Sequence, residues 1–335
     1  MGELLEIAKV AVEPTMKLLN MLERAVGIIY EPHHMKKMAD AEEYRIKKLS
    51  QSITENGEVS ILYDKGDITI QSTETDDFLK RCEHRASYKQ IQQQKNIEKI
   101  AAFAYQELAC DTATISAKSD EQVDEDWETR LFRIAEDISS EKMQYVWGKI
   151  LAGEIKNPGS FSLRTLESIK NLSQKDAMLF QKISPFISEF GRNLFLTSDT
   201  KILKKYDISY EDILSLDECG LINSDGMVSF SPILSIHNNV FISNKSQLLR
   251  LQGSGEKYNE ITFGIFGLTQ AGRELFSIID YQPSESYLCD LGEDIEKNNK
   301  GNVTISLHKI YGTGDNAMYE TSPLREFPAK NEVSK

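Results

Sequence analysis

His33-His34 beside Glu31, Cys82 with His84, the run Asp124-Glu125-Asp126 and the pair Ser160 and Ser162 are the groups in this sequence best suited by type to chemistry. The first two would ligate a metal, the acidic run would hold a divalent cation, and a serine would act as a nucleophile. Each falls short on spacing. Neighbouring helical side chains diverge by about 100°, so His33 and His34 do not converge on one ion, and no HExxH follows them. Cys82 and His84 lack two further ligands at a spacing that closes a tetrahedral site. The acidic run lacks the alternating donors, central glycine and distal glutamate of a calcium loop. It reads instead as a solvated helix cap with a favourable dipole interaction. Ser160 and Ser162 have no G-x-S-x-G elbow around them, and a phosphate loop would need more glycines and a preceding strand. No nucleophile, base and stabilising group can be named together. No catalytic residue, metal ligand or cofactor is therefore assigned, and an enzyme is the less favoured expectation.

The elements that would position any site are mostly helical. Leu4, Leu5, Ala8, Ala11 and Val12, then Leu18, Leu19, Leu22, Ala25, Val26 and Ile29, recur at helical intervals. EVSILYDKGDITIQS switches to a period of two around Lys65-Gly66 and predicts a hairpin. A long helix follows from about Asp76 to Ala109, and residues 111–124 read as loop. Asp124 or Asp126 caps a helix bearing Trp127, Leu131 and Ile134, and Ser139 or Ser140 caps one bearing Met143, Trp147, Ile150 and Leu151. Asn157-Pro158-Gly159-Ser160 is a helix–turn–helix corner, because proline cannot continue a helix and glycine admits backbone angles other residues avoid. Ser173 with Asp176 has the spacing of a capping box.

After Gly191 short helices and short strands alternate, and Thr269 is the natural cap for AGRELFSII. SESYLCDLGEDIEKN predicts a helix, VTISLHKIYG a strand, and the residues from Gly312 onward a loop and tail. The expected fold class is mainly α with a smaller α+β part. Residues 1–57 form amino-terminal helices, 58–73 a β-hairpin insertion, 74–190 a central helical domain, 191–281 a winged-helix-like module, and 282–335 a carboxy-terminal helix, strand and tail.

A net charge of −13 discourages undirected binding to nucleic acid or anionic lipid. The four cysteines, Cys82, Cys110, Cys219 and Cys289, form no CxxC pair and read as reduced thiols. No secretory signal is expected from the opening residues, no apolar run is long enough to cross a membrane, and Glu6 argues against myristoylation at Gly2. A cytoplasmic setting is the expectation. If the winged-helix-like module met DNA, Lys245, Arg250, Lys257 and Arg273 would be the candidate contacts. The helix that would read the groove, SYEDILSLDECG, carries four acids and no base, which disfavours that role. Packing on protein suits the amino-terminal helices better, with Leu4, Leu5, Leu18, Leu19 and Leu22 as candidate contacts; peripheral membrane contact is weaker because glutamates outnumber bases there.

Trp147, Ile150-Leu151-Ala152-Gly153-Glu154, Pro158-Gly159-Ser160-Phe161-Ser162 and Arg164-Thr165-Leu166, continued by Leu172-Ser173, Asp176-Ala177 and Phe180, resemble the hallmark block of an uncharacterised bacterial family, domain of unknown function 2806. Phe266-Gly267-Leu268-Thr269 with Ala271-Gly272 and Leu275 is similar to that family's carboxy-terminal signature. The resemblance implies no catalytic residues. Its association with variable bacterial gene neighbourhoods implies a role in defence against phage or mobile elements. The leading expectation is a non-enzymatic interaction protein, with a protein partner or a second copy. The alternatives are a nucleic-acid-responsive regulator and an effector that perturbs membranes through the amino-terminal helices.

Overall fold

Leu18, Leu19, Met21 and Leu22 lie on the buried side of helix α1, residues 14–25. The computed structural model describes residues 14–25, 59–64, 67–72, 78–110, 122–225, 228–299, 301–311 and 318–327. They fall into two compact units that divide between Leu166 and Glu167.

In the first unit β1 (Val59–Asp64) and β2 (Asp67–Ser72) pair antiparallel, with Asp64 opposite Asp67, as the alternating pattern predicted. Helices α2 (Phe78–Cys110), α3 (Glu125–Ala135) and α4 (Glu141–Lys156) form the core. Small residues set how closely α2 and α4 approach. A Cβ on Gly148 would stand 2.5 Å from Phe103 Cβ and 3.1 Å from both Ala104 N and Ile100 O, so only glycine fits at this crossing. Ile100, Ala101, Ala104, Trp147, Ile150 and Leu151 are fully buried around it. Polar ties fix the register: the Gln144 amide donates to Asn96 Oδ1 (3.2 Å) and Ile138 O (2.8 Å), and Asn96 Nδ2 donates to Glu136 O (2.7 Å). Asp124 is the cap of α3, accepting from Trp127 N at 2.9 Å. Ser140 holds the cap position of α4, although its side chain makes no capping bond to the helix.

The corner after α4 is built on one carboxylate. Glu154 is 2% exposed, and its two oxygens accept from Gly159 N (2.6 Å) and Phe161 N (2.9 Å). Gly159 has φ +86°, a left-handed turn that glycine adopts without penalty. A Cβ on Gly153 would meet Phe161 Cε2 at 2.8 Å, so the buried phenyl ring closes over this glycine. Ser162 then caps α5 (Leu163–Lys170) by accepting from Thr165 N at 3.2 Å.

The second unit begins with the rest of α5 and continues with α6 (Gln174–Ile183), where Ser173 and Asp176 form the expected capping box. The strands β3 (Ser188–Phe190), β4 (Asn193–Thr197), β5 (Ile222–Asn223), β6 (Ser229–Phe230), β8 (Asn239–Ser243), β9 (Gln247–Gly253), β11 (Phe263–Leu268), β12 (Val303–Tyr311), β13 (Met318–Tyr319) and β14 (Arg325–Phe327) share one antiparallel sheet. Its order is β13-β12-β9-β8-β3-β4-β11-β5, with β14 on β12 and β6 on β11. The short strands β7 (Ile233–Leu234) and β10 (Asn259–Glu260) pair apart from it. Helices α7 (Thr200–Lys205) and α8 (Tyr210–Glu218) follow β4, α9 (Gln270–Phe276) follows β11, and α10 (Tyr287–Asn298) precedes β12. Leu288, Leu291 and Ile295 of α10 join Leu249, Leu251, Ile305, Leu307 and Phe327 in the core under the sheet.

The described residues thus comprise a helical amino-terminal unit and an α+β carboxy-terminal unit. The sheet is larger than the sequence suggested. It runs from β3 to β14, so residues 167–190 and 282–327 join the segment 191–281 in one unit. The stretch after Gly312, expected as a loop and tail, contributes β13 and β14, both of which pair antiparallel with β12.

Replacing Glu154 with alanine strands the buried Phe161 N–H and frees the exposed Gly159 N–H, and is expected to destabilise the first unit by about 2 kcal/mol, with Glu154→Gln losing less because one acceptor remains. Both tryptophans lie in this unit, so urea unfolding followed by their fluorescence measures it.

Candidate functional site

Helix α8 is the element whose outward face is most distinctive. Ser209 and Asp212 close a capping box: Asp212 N donates to Ser209 Oγ (3.1 Å) and Ser209 N to the Asp212 carboxylate (2.9 Å). Ile213 and Leu216 are fully buried. Tyr210 (49% exposed) and Leu214 (38% exposed) stand one turn apart on the outer side, with Glu211, Asp217 and Glu218 exposed around them. The helix stops at Gly220, φ +70°, where Gly220 N donates to Asp217 O (2.7 Å) and Leu221 N to Leu216 O (2.9 Å). Helix α6 runs alongside: Lys182 forms ion pairs with Asp207 (3.0 Å) and Asp212 (4.0 Å), and Met178 is 53% exposed. Burial, then the nearby Asp176 carboxylate, pushes the Cys219 thiol up to about 11, which keeps it protonated and unreactive at neutral pH.

The end of α8 is anchored by the second motif. Thr269 Oγ1 donates to Gly220 O (2.5 Å) and Thr269 N to Leu221 O (3.0 Å), while Gly272 N donates back to Thr269 Oγ1 (3.0 Å). A Cβ on Gly272 would stand 2.0 Å from Leu221 O. The threonine and glycine of LTQAG therefore serve close backbone packing.

The candidates from sequence scatter. Arg250 lies on β9 and donates to Asn239 (2.9 Å), Lys245 sits 4.1 Å from the centroid of the Tyr281 ring, and Arg273 donates to Leu268 O (2.8 Å). Lys257 is exposed in the loop between β9 and β10. Leu18, Leu19 and Leu22 require a correction: at 0–3% exposure they are core residues, because α1 folds against its own unit rather than offering its apolar side. Arg24 strengthens that docking through a two-point bond to Glu128 of α3 (3.2 and 2.5 Å). Leu4, Leu5, Glu31, His33 and His34 lie outside the described residues. Cys82 is exposed on α2. Among the described residues no three ligating side chains gather for a metal, and no helix is long and apolar enough to cross a membrane.

Three constellations escaped sequence reasoning because each joins distant elements. Asp290 of α10 accepts from Tyr206 (2.5 Å) and from Lys205 (2.8 and 2.7 Å), tying the end of α7 to α10. Asp294, one turn on, shares a hydrogen bond with Asp199, the cap of α7. Ser306, His308 and the Glu320 carbonyl line up beside β12. Only the last left a trace in sequence, since residues two apart on a strand share a face.

The chain belongs to the family described as protein of unknown function (DUF2806), whose model matches residues 80–292. No curated protein and no solved structure matches it. The matched span contains both the Glu154 corner and the Thr269–Gly272 anchor, and in this chain both hold backbone in place.

Burial, then the facing Asp199 carboxylate, raises the Asp294 carboxyl above its ordinary value. A raised native value stabilises the fold fully below the unfolded value of that carboxyl and loses the effect as pH climbs through the native one. Thermal stability is expected to fall across that window, and Asp294→Asn to flatten the fall, measured by melting temperature from pH 3.5 to 8.

Proposed function

We propose that the carboxy-terminal unit is a protein-docking module of winged-helix-like topology, and that α8 is its contact helix. The order α6, β4, α7, α8, β5, β11, with β11 pairing to both β4 and β5, supports the topology. In that arrangement α8 occupies the place of a groove-reading helix. The observation that carries the reading is its outer face: Tyr210 and Leu214 surrounded by Glu211, Asp217 and Glu218, with no lysine or arginine on the helix. Phosphates would be repelled there, whereas a peptide with apolar anchors between basic residues is complementary in both respects. Tyrosine is also among the residues that dominate interface energetics.

Fluorescence anisotropy of the full chain with labelled basic amphipathic helical peptides, and in parallel with duplex DNA, tests this. Peptide binding is expected to weaken about tenfold or more in Tyr210→Ala/Leu214→Ala and again in Glu211→Lys/Glu218→Lys, consistent with truncation of interface anchors. Tight, salt-dependent binding of duplex DNA that these variants alter, or peptide affinity that they leave unchanged, would overturn it.

A further inference from the structure

We propose that Ser306 is a nucleophile activated by His308, which gives the outer face of the sheet an acyl-transfer activity toward small esters. This is independent of the docking role of α8. Along β12, Val303, Ile305 and Leu307 enter the core, so Ser306 and His308 project from the opposite face. Ser306 Oγ is 2.8 Å from His308 Nε2, and His308 Nδ1 is 2.7 Å from the main-chain oxygen of Glu320. A carbonyl only accepts, so Nδ1 carries the ring hydrogen. Nε2 of the neutral imidazole is then the acceptor, and the Ser306 hydroxyl donates to it. This is the arrangement of nucleophile, base and orienting group that activates a serine, with a carbonyl as the third member.

The surroundings suit a substrate. His308 is 2% exposed, held beneath Tyr319 at a ring separation of 5.4 Å, while Ser306 stays partly open to solvent. Strand register sets Glu326, Ser306, Arg250 and Phe241 in one row across β14, β12, β9 and β8. Directly paired residues share a face, so Arg250 stands on the same face as Ser306, with its guanidinium reaching to Asn239 of β8. Phe241 and Tyr319, 38% and 40% exposed and 5.8 Å apart, offer an aromatic seat for the acyl or leaving group.

In the reaction Ser306 Oγ bonds to the ester carbonyl carbon as its proton passes to His308 Nε2. The carbonyl electron pair moves onto oxygen, which faces solvent beside the partly open Ser306. Collapse of this adduct breaks the bond to the leaving alcohol, which takes the proton from Nε2. Water, deprotonated by the same nitrogen, then attacks acyl-Ser306, releasing the carboxylic acid and restoring the serine.

The test treats the full chain with diisopropyl fluorophosphate and maps adducts by peptide mass spectrometry, alongside turnover of p-nitrophenyl acetate. The expected result is a single phosphorylated serine at Ser306, formed with loss of hydrogen fluoride, and ester turnover that drops about 100-fold or more in Ser306→Ala, the scale of positioned acid–base catalysis. No adduct at Ser306 in protein with an intact circular dichroism spectrum, or turnover unchanged in Ser306→Ala, would overturn the proposal. A purely structural serine–histidine bond gives that negative result.

Discussion

A carboxylate taken out of water is costly unless hydrogen-bond donors replace its hydration. Glu154 meets that condition with two main-chain N–H groups, at the place where the chain must leave one helix and enter the next. Charge-assisted bonds of this kind are among the stronger ones available to a protein. The path of the corner follows from them. Gly159 must turn left-handed to present its N–H, Phe161 must present the next donor, and Gly153 must lack a side chain for the Phe161 ring to settle. One turn and a half back along the same helix, Gly148 fixes the crossing with α2. Helix α4 is thereby pinned by steric contact near its middle and by electrostatics at its end. The densest stretch of the family resemblance has a physical reading that needs no ligand.

A similar logic governs the second unit, through backbone contact alone. Thr269 and Gly272 bring the start of α9 against Gly220 and Leu221, just where α8 ends. Any side chain at Gly272 would push that junction apart. Because α8 is capped by Ser209 and Asp212 at one end and held by this junction at the other, its orientation on the sheet is set. The residues it leaves outside are therefore a fixed feature of the unit. The Tyr206–Asp290–Lys205 network adds a tie from α7 to α10, and Tyr287 reaches Thr197 N at 2.9 Å from the same helix.

Features decided by local sequence were legible in advance. The capping box at Ser173 and the cap at Asp124 depend on side chains within a few residues of the backbone groups they satisfy, and the hairpin flanking Lys65-Gly66 and the helix Tyr287–Asn298 follow the periodicity of their own residues. Features decided by pairing were not. Strand β9, only faintly suggested by its sequence, is seven residues long because it is held on both sides by β8 and β12. Strands β13 and β14 carry little alternation and exist through their register with β12. The apolar stripe of Leu18, Leu19 and Leu22 gave its helix correctly, but a stripe does not say whether the partner is another chain or another helix of the same one. The candidate site divides along the same line: the acidity of α8 was plain in sequence, whereas Ser306 and His308 needed the Glu320 carbonyl beside them to acquire chemical meaning.

The electrostatic character of α8 also follows from where the bases have gone. Lys182 is drawn to Asp207 and Asp212, Lys205 to Asp290, Arg325 to Glu293 and Cys289, and Arg24 to Glu128. Exposed pairs of this kind contribute little stability individually, but each engages a cation within its own unit. In a chain with 39 basic and 52 acidic residues, such pairing leaves the surplus acids facing outward. On α8 that surplus surrounds a tyrosine and a leucine, so in the docking role proposed for it the field that repels phosphate would also favour, among apolar partners, those that carry positive charge.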